Sequence, residues 1–345
     1  MRTIVTTMRN EAPFILEWVA YHRSIGFTDF VVFTNDCEDG TDLILDRLQE
    51  MGIVHHIPNP RRGKKPVQWT ALKRAANHPA VKKAEWVFVT DVDEFLNIHA
   101  GAGRLDDLIA VQPDADGFML TWRMFGANGQ VKFTDGLMMN QFTAAAPDQM
   151  IWPWRAVQFK TIFRNTSPDI KLGIHQPKFA QDATRTPRIW IDDNGDRTHA
   201  VRGTVMLHQK PRYKLAQINH YALGAVESFL VKCARGKPNH SDDNIDLAYW
   251  LDRNLNEVED KSILRHRQPT ADAVAALMDD PVISALHADG VEWRKRKIQS
   301  LMTDSDMFYL YARILQSQPT IALPKNIQQD LLQRLFTMRR AQVKT

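Results

Sequence analysis

The first 120 residues alternate short apolar runs with amphipathic stretches. The apolar runs predict buried strands at residues 4–7, 30–34, 53–57 and 86–90. Between them, apolar residues recur at helical spacing from residue 13, from Thr41, which is suited to cap its helix, and over 67–77. Strands that alternate with helices predict a mostly parallel sheet with helices on both faces. Such a sheet binds its ligands at the carboxyl ends of the strands.

The pattern changes after residue 117. Further strands are predicted at 117–122 and 157–163, long loops with short strands over 165–205, and a helix near Glu227. Helical spacing then returns at residues 271–278, 282–286, 307–315 and 326–343. We therefore predict an α/β, Rossmann-like fold with a helical C-terminal appendage. Its predicted parts are a main domain, 1–268, with a nucleotide-binding half, 1–120, and an acceptor-side half, 121–268, followed by a helical region, 269–345.

Composition narrows the class of protein. Of 345 residues, 44% are hydrophobic and 24% are charged, which is typical of a folded globular chain, and a net charge of +4 is too small to indicate nucleic-acid binding. The cysteines, Cys37 and Cys233, lie far apart, which excludes a cysteine-built zinc site and suits a reducing compartment. No signal stretch or membrane-spanning run is evident, so we expect a cytoplasmic protein without a transmembrane segment.

Polar residues follow three of the predicted strands: Asn10 and Glu11 the first, Asp36 the second, and Asp91 and Asp93 the fourth. In an extended segment residues i and i+2 point to the same side, so the last two carboxylates should face outward together. Two carboxylates at the end of a core strand require balancing positive charge. Mg²⁺ or Mn²⁺ suits this role, because each prefers oxygen ligands and shares its coordination shell with substrate phosphates. The pattern predicts a metal site.

A basic stretch and three tryptophans are further candidates for ligand binding. Residues 61–83 hold eight Lys or Arg and no acid, and Arg62 and Lys65 lie just before a predicted helix start, where free amides favour anions. The loop lacks the aromatic residues that nucleic-acid binding would require. Trp122, Trp152 and Trp154 offer flat surfaces for acceptor sugars, with core packing as the alternative.

Together these motifs resemble a GT-A-fold glycosyltransferase of the bacterial family-2-like group. The resemblance covers roughly residues 3–240, and the chain departs from the usual Lys-Ser pair at Leu223-Gly224. The segments that carry it are, in order, Met8-Arg9-Asn10-Glu11, Glu17-Trp18-Val19-Ala20-Tyr21-His22, Asn35-Asp36-Cys37-Glu38-Asp39-Gly40-Thr41, Asp91-Val92-Asp93-Glu94-Phe95, Trp122-x-x-Phe125-Gly126, His220-Tyr221, Glu227-Ser228-Phe229, Lys232 and Arg235-Gly236.

The resemblance implies metal-dependent transfer of a sugar from a nucleotide-sugar donor, with a UDP-linked donor favoured. The acceptor would be a glycan or a lipid-linked glycan, in the synthesis of surface polysaccharide or glycoconjugates, and transfer would invert the sugar. A place at the inner face of the membrane, with peripheral contact, is left open. The resemblance assigns the metal (Mn²⁺ or Mg²⁺) to Asp91, Asp93 and His220, and the nucleotide sugar to Asn10, Glu11, Asp36 and Asp91. Arg62 and Lys65 are expected to reach the diphosphate because of their place before the predicted helix start.

Structural roles compete with some of these assignments. His220 is equally well explained as a half-buried structural histidine, and Asn and Asp at these positions are ideal turn and helix caps. If His220 does bind the metal, metal affinity should weaken as the pH falls through about 6.5. An inverting transfer also needs a base near the acceptor hydroxyl, for which Asp135, His175 and Glu227 are unranked candidates.

Two other functions compete with sugar transfer. A haloacid-dehalogenase-type phosphohydrolase also places Asp-x-Asp after a strand, with the first Asp as nucleophile, but Glu94-Phe95 follow here instead of a small or hydroxylated residue. A non-catalytic glycan-binding module on the same fold is the second. A dinucleotide dehydrogenase and a P-loop enzyme are disfavoured because their glycine motifs are missing from the sequence.

Overall fold

The computed structural model describes residues 1–61, 63, 66–166, 170–178, 188–199, 203–206, 212–236 and 245–342. Its strands are β1 (Arg2–Met8), β2 (Asp29–Thr34), β3 (His55–Pro58), β4 (Trp86–Val89), β5 (Glu94–Ile98), β6 (Gly117–Met124), β7 (Ala144–Ala145), β8 (Phe159–Arg164), β9 (Trp190–Asp192), β10 (Arg197–Thr198), β11 (Ala216–His220) and β12 (Val258–Glu259).

The helices cover both faces of the sheet and form the C-terminal part of the chain. They are α1 (Ile15–Ser24), α2 (Thr41–Glu50), α3 (Val67–Ala75), α4 (Pro79–Lys82), α5 (Leu105–Val111), α6 (Met138–Gln141), α7 (Val226–Arg235), α8 (Leu247–Leu251), α9 (Arg267–Met278), α10 (Pro281–Leu301), α11 (Ser305–Gln316) and α12 (Lys325–Gln342). Short 3₁₀ segments occur at Ala12–Phe14, Trp154–Val157 and Ser262–His266.

The central sheet confirms the predicted α/β fold. Strands β3, β2, β1 and β4 lie side by side and run parallel, so their carboxyl ends meet at one edge. Strand β8 follows antiparallel between β4 and β6, and β9 and β10 complete that side of the sheet. Strand β11 pairs parallel with β6 and antiparallel with β5. Side chains from both sheet faces form the core under the helices.

Three local predictions are corrected. The third strand begins at His55, two residues later than predicted. Thr41 is not the cap of its helix: Gly40 holds that position with a φ of 83°, and the Thr41 hydroxyl accepts a hydrogen bond from the Glu11 amide (2.7 Å) instead. Strand β5 was not predicted, because its sequence includes Glu94 and Asn97, polar residues that are nonetheless fully buried.

Side chains of helix α1 form hydrogen bonds with the backbone of strand β5. The Trp18 indole donates to the carbonyl of Glu94 (3.1 Å), and the Tyr21 hydroxyl donates to the carbonyl of Leu96 (2.7 Å). The His22 Nε2 accepts from the Leu96 amide (3.4 Å). These are the aromatic residues of the Glu-Trp-x-x-Tyr-His motif, so in this fold they hold the strand that follows the acidic pair and do not line the binding edge.

The C-terminal helices pack on the first half of the chain. Helix α9 packs on α1, and α10 packs on α2, on α7 and on the 3₁₀ segment Ala12–Phe14. A Cβ atom added at Gly290 would lie only 2.5 Å from the Cβ of Ala12, so glycine permits this close approach of α10. The predicted helical C-terminal region is confirmed, while the division at residues 268 and 269 stays a prediction. In the described part of the chain, no helix is long and apolar enough to cross a membrane.

Burial of His22 predicts acid sensitivity. Burial lowers the pKa of His22 to about 3, so the unfolded chain, with a histidine pKa near 6.5, binds more protons as the pH falls. The contribution of the neutral His22 to the free energy of unfolding is therefore fully present above about pH 6.5 and declines as the pH falls below that value. Between pH 7 and pH 5 this contribution should decrease by about 2 kcal/mol. Urea unfolding at both pH values should show this loss, and His22→Gln should reduce it by that amount. An identical loss in the variant would contradict the assignment.

Candidate active site at the carboxyl edge of the sheet

A cavity of about 300 Å³ opens at the carboxyl edge of the parallel strands. The segments after β1, β2, β3 and β4 contribute Arg9, Asn35, Arg61 and Asp91 respectively, and His220 ends β11 on the same wall. Positively charged residues outnumber acids on this lining: the bases are Arg9, Arg61, Lys232, Arg235 and Arg253, and the acids are Glu11, Asp91 and Asp93. The predicted binding edge is thus a cavity with an excess of cationic side chains.

The acidic pair lies on a turn and not on an extended segment, which corrects the predicted geometry. Residues 91–93 form the turn from β4 into β5, and the Glu94 amide donates to the Asp91 carbonyl (3.1 Å). The Glu94 carboxylate fixes this turn, since its Oε2 accepts from the Thr90 hydroxyl (2.8 Å) and from the Asp91 amide (3.0 Å). Asp91 and Asp93 still line one cavity, but each carboxylate has its own partners.

Asp91 is held by a lysine from strand β8. The Lys160 ammonium is completely buried and lies 3.0 Å from Asp91 Oδ2 and 3.2 Å from Glu94 Oε2. The Gln68 amide donates to the other oxygen, Oδ1 (3.2 Å). Burial raises the pKa of Glu94 above its usual range, although Lys160 opposes this shift. Lys160 thus supplies the positive charge that sequence reasoning assigned to a metal at Asp91.

Asp93 is placed between a lysine and a histidine. Its Oδ2 accepts from the Lys232 ammonium of α7 (2.7 Å), which also donates to the carbonyl of Ala222 (2.7 Å). Its Oδ1 lies 3.8 Å from His220 Nε2. Burial alone would raise the pKa of Asp93, but the Lys232 ammonium and further positive groups nearby, among them Arg235, together outweigh it and hold the pKa well below the usual range. Asp93 is therefore charged at any physiological pH.

His220 is neutral at this position. Burial lowers its pKa to about 3, so the pH window near 6.5 that the sequence suggested for metal binding does not apply. Its ring packs against Trp122, with centroids 4.3 Å apart. Nδ1 is buried without a hydrogen-bond partner, whereas metal-binding histidines usually donate this second N–H to an acceptor. His220 thus packs against Trp122 and also lines the cavity, so its position suits both the structural role and the metal-binding role considered for it.

The donor atoms suit an ion that is shared with a substrate. Within the described ranges, no group of three or more His, Cys, Asp or Glu side chains is placed to hold a metal ion. Asp93 Oδ1 and His220 Nε2 are 3.8 Å apart, and ligands roughly 2.1 Å from one ion lie within about 4.2 Å of each other. An ion such as Mg²⁺ needs only one or two protein ligands when substrate phosphates complete its shell. These two residues fit such an ion, while Asp91 is engaged by Lys160 and Gln68.

The predicted nucleotide-binding residues separate into three groups. Glu11 lines the cavity and is hydrogen-bonded to the Arg235 guanidinium. Asn10 Oδ1 accepts from the Glu38 amide (2.9 Å), and this bond connects the segments that follow β1 and β2.

Asp36 is exposed and does not line the cavity, whereas its neighbour Asn35 does. Arg62 and Lys65 lie outside the described residues. Asn10 and Asp36 both have positive φ angles, 56° and 48°, as expected for tight turns at strand ends.

His175 is the one of the three base candidates that lines the cavity. Its Nδ1 is 2.9 Å from the Phe159 carbonyl, so Nδ1 carries the proton and Nε2 keeps a free lone pair. Burial, assisted by Lys160, lowers the pKa of His175 to about 4. Asp135 is exposed and contacts His287, and Glu227 accepts from the Phe133 amide (2.8 Å) in the first turn of α7.

Sequence reasoning missed two kinds of residue at the site. Lys160 lies in strand β8 near the apolar residues Phe159, Ile162 and Phe163, and a lysine in such a segment could have indicated a buried charge with a carboxylate partner. Lys232 and Arg235 were identified only as motif residues, and their spacing of three places both on one face of α7 toward the cavity. Of the three tryptophans, Trp122 lines the cavity, and Trp152 and Trp154 do not.

The mostly parallel sheet with a cavity at its carboxyl edge defines an α/β domain with a ligand site at the ends of its strands. The family model of glycosyltransferase family 92 matches residues 5–222, which span β1 to the residues just after β11. The chain belongs to glycosyltransferase family 92. The predicted resemblance to glycosyltransferases is confirmed, while membership of the bacterial family-2-like group stays a prediction.

Individual relatives cover only parts of the chain. A family 92 protein of Oryza sativa subsp. japonica is 28% identical over 154 residues, 42% of this chain and 25% of the relative. A family 92 protein of Ricinus communis is 29% identical over 136 residues, 36% of this chain and 23% of the relative. One from Arabidopsis thaliana is 31% identical over 98 residues, 27% of this chain and 16% of the relative. The matched parts thus span about a quarter or less of these relatives.

The solved structures that match this chain do so with low similarity. S. aureus TarS residues 1–349, crystallised alone and in complex with UDP, has a TM-score of 0.29 and 20% identity, covering 48% of this chain and 47% of that fragment. HddC from Yersinia pseudotuberculosis has a TM-score of 0.26 and 13% identity, covering 42% of this chain and 68% of HddC. These scores are too low to support any statement about the site.

Removal of Lys160 should destabilise the protein in a pH-dependent way. Lys160→Met leaves the buried Glu94 carboxylate without a cation, so we expect a loss of about 3 kcal/mol at pH 8. At pH 5 Glu94 takes up a proton in the folded state, and the loss should be smaller. Urea unfolding at the two pH values measures both effects. The double variant Lys160→Met/Glu94→Gln should regain part of the stability at pH 8, and equal losses at both pH values would show that Glu94 does not carry the effect.

Proposed function

We propose that this protein transfers a sugar from a nucleotide-sugar donor to an acceptor hydroxyl in the cavity at the carboxyl edge of the sheet. The observation that carries the proposal is the position of Asp93, between the Lys232 ammonium (2.7 Å) and His220 Nε2 (3.8 Å), on the turn that joins the core strands β4 and β5. A charged oxygen ligand, a neutral imidazole and a cation converge there. This combination suits the binding of a diphosphate and a divalent ion. Membership of glycosyltransferase family 92 supports the same reaction class.

The donor diphosphate is proposed to lie against the cationic wall of the cavity. When the bond between the sugar and the diphosphate breaks, the leaving group gains negative charge that must be stabilised. Lys232 and Arg235 lie on one face of α7 toward the cavity, and Arg61 lies after β3 on the same lining. Asp93 and His220 would hold a Mn²⁺ or Mg²⁺ ion, which supplies further charge stabilisation when bound. The nucleoside is proposed to lie near Glu11 and Asn35, between the ends of β1 and β2.

His175 is the proposed base. The bond from its Nδ1–H to the Phe159 carbonyl (2.9 Å) orients the ring and leaves Nε2 as a proton acceptor on the cavity wall. In the proposed step the acceptor hydroxyl oxygen bonds to the anomeric carbon, and its proton passes to His175 Nε2. The bond from the anomeric carbon to the diphosphate oxygen breaks, with its electron pair leaving on the diphosphate. Such a displacement inverts the sugar. Trp122, whose ring lies 5.5 Å from that of His175, offers a flat surface for the acceptor.

The finer identity of the substrates rests on the sequence resemblance. It favours a UDP-linked donor, a glycan or lipid-linked glycan as acceptor, and a role in surface polysaccharide or glycoconjugate synthesis. A cytoplasmic location, with peripheral contact at the membrane, belongs to the same proposal.

The phosphohydrolase alternative is less well supported. Its nucleophile would be Asp91, yet Lys160 and Gln68 engage both oxygens of that carboxylate. A nucleophilic carboxylate needs one oxygen free to attack phosphorus. The glycan-binding alternative differs from the proposal in one observable, because a binding module would bind ligand without releasing nucleoside diphosphate from a sugar donor.

Asp93→Asn should abolish metal-dependent nucleotide binding. The variant keeps the shape of the side chain but removes the charge that pairs with Lys232 and with an ion. UDP at 100 times its dissociation constant, in the presence of saturating Mn²⁺, should raise the free energy of unfolding of the parent by about 2.7 kcal/mol. This gain is measured as a rise in melting temperature. The variant should show no Mn²⁺-dependent rise.

The matched control is Asp114→Asn, because Asp114 is exposed and lies away from the cavity. It should behave as the parent does. A panel of nucleotide sugars tested with and without Mn²⁺ identifies the donor, and undiminished Mn²⁺ dependence in Asp93→Asn would refute the metal assignment.

His175→Asn should slow transfer without weakening donor binding. Asparagine keeps a donor for the Phe159 carbonyl but removes Nε2, and loss of a general base lowers rates by about 10²- to 10⁴-fold. Because the pKa of His175 is about 4, the acid limb of the parent's pH–rate profile should lie near pH 4. The assay measures nucleoside diphosphate released from the best-bound nucleotide sugar. Asp135→Asn should keep the parent rate, since Asp135 is exposed and outside the cavity, and a normal rate in His175→Asn would exclude it as the base.

A further inference from the structure

A second, smaller cavity lies beneath the cationic wall. It has a volume of about 40 Å³ and shares the lining residues Glu11, Val92, Asp93, Lys232 and Arg235 with the larger cavity. The two spaces therefore adjoin along this wall. A space of this size holds roughly two or three water molecules or one small anionic group.

The far wall of the small cavity is formed by Arg294 from α10. Its guanidinium is buried, and it stacks over the rings of Phe14 (4.7 Å) and Phe133 (5.4 Å). The close packing of α10 at Gly290 brings Arg294, one helical turn later, to the inner face of the helix. A residue of the C-terminal region thus lines the space next to the donor site.

The charges around this cavity do not balance. Lys232 is paired with Asp93, and Arg235 is paired with Glu11. Arg294 has no carboxylate partner among the described residues, its Nε is buried without a hydrogen-bond partner, and its Nη2 reaches only the Ser228 carbonyl at 3.4 Å. Burial lowers the pKa of Arg294 to about 10, which leaves the guanidinium charged at neutral pH. Arg294 is thus a buried positive charge without a direct ion pair among the described residues, and the Glu11 and Asp39 carboxylates only partly oppose the lowering of its pKa by burial.

We propose that Arg294 binds an anionic phosphate oxygen of the donor's diphosphate through this small cavity. The inference rests on the proposed function, because it adds Arg294 to Lys232, Arg235 and Arg61 as a fourth cation for the same leaving group. A buried guanidinium without a carboxylate is costly in the free protein and becomes favourable when an oxyanion enters. In the free protein Lys232 and Arg235 are paired with carboxylates. Arg294 has no such partner among the described residues and is therefore available to pair with the ligand.

Binding of UDP, inorganic pyrophosphate and uridine to the purified chain tests this inference. Arg294→Met keeps much of the side-chain volume and removes the charge, so UDP and pyrophosphate affinities should fall at least tenfold while uridine affinity stays unchanged. Arg294→Lys, which restores charge without the planar fork, should lie between the two. Arg296→Met on the same helix, with a side chain that is 63% exposed, is the matched control and should bind as the parent does.

Folding is checked by the melting temperature of the free protein. Because Arg294→Met removes a buried charge that has no ion pair with a carboxylate among the described residues, the ligand-free variant should melt at or above the parent's temperature. Equal losses of affinity for uridine and UDP would indicate a purely structural role and overturn the proposal.

The outcomes also separate this proposal from the proposed function. Unchanged UDP and pyrophosphate affinities in Arg294→Met would overturn the role of Arg294 and leave sugar transfer intact. Arg294-dependent binding of pyrophosphate, in a chain that binds neither UDP nor uridine, would support the anion site and refute the nucleotide-sugar function. A parent that binds none of the three would refute both.

Discussion

The site depends on the hydrogen bonds and the ion pair made by the buried carboxylate of Glu94. This carboxylate receives hydrogen bonds from Thr90 and from the Asp91 amide, and it lies 3.2 Å from the Lys160 ammonium. Through these contacts it determines how the chain turns between two core strands and where both aspartates point. This carboxyl group has zero exposure, and the buried lysine and the turn satisfy its Oε2, while Oε1 is buried without a hydrogen-bond partner among the described residues. A residue that does not line the cavity thus sets the positions of the two aspartates that do.

The fold was largely predictable from the sequence because its signals are local. Apolar runs and helical spacing are properties of neighbouring residues, and they located β1, β2, β4, α1 and the C-terminal helices. Strand β5 was not predicted because it includes Glu94 and Asn97, which contact Lys160 and Ser262, residues far away in sequence that no local pattern records. The turn at residues 91–93 was misjudged as extended because it is closed by hydrogen bonds to the buried carboxylate of Glu94, and the apolar pattern does not show that this side chain is buried.

The candidate site was predictable only in outline. The acidic pair and the edge on which it lies followed from strand order, and His220 was placed near Asp93 by resemblance. The partners of those carboxylates were not foreseen: Lys160 follows Asp91 by 69 residues, and Lys232 follows Asp93 by 139. Such pairings depend on which strands and helices become neighbours. Arg294 is the extreme case, because it lies beyond residue 222, where the match to the family ends.

The pairing of β5 with β11 has a consequence for how this protein could be altered. His220 lies opposite Glu94 in the register of these strands, while β11 also pairs with β6. A one-residue slip would turn the imidazole to the opposite face of the sheet, so the spacing between histidine and aspartate is set by backbone hydrogen bonds. The segment that carries His175 lies outside the regular strands of the sheet. Exchange of that segment can therefore change the lining of the cavity, while the sheet keeps His220 and Asp93 at their distance.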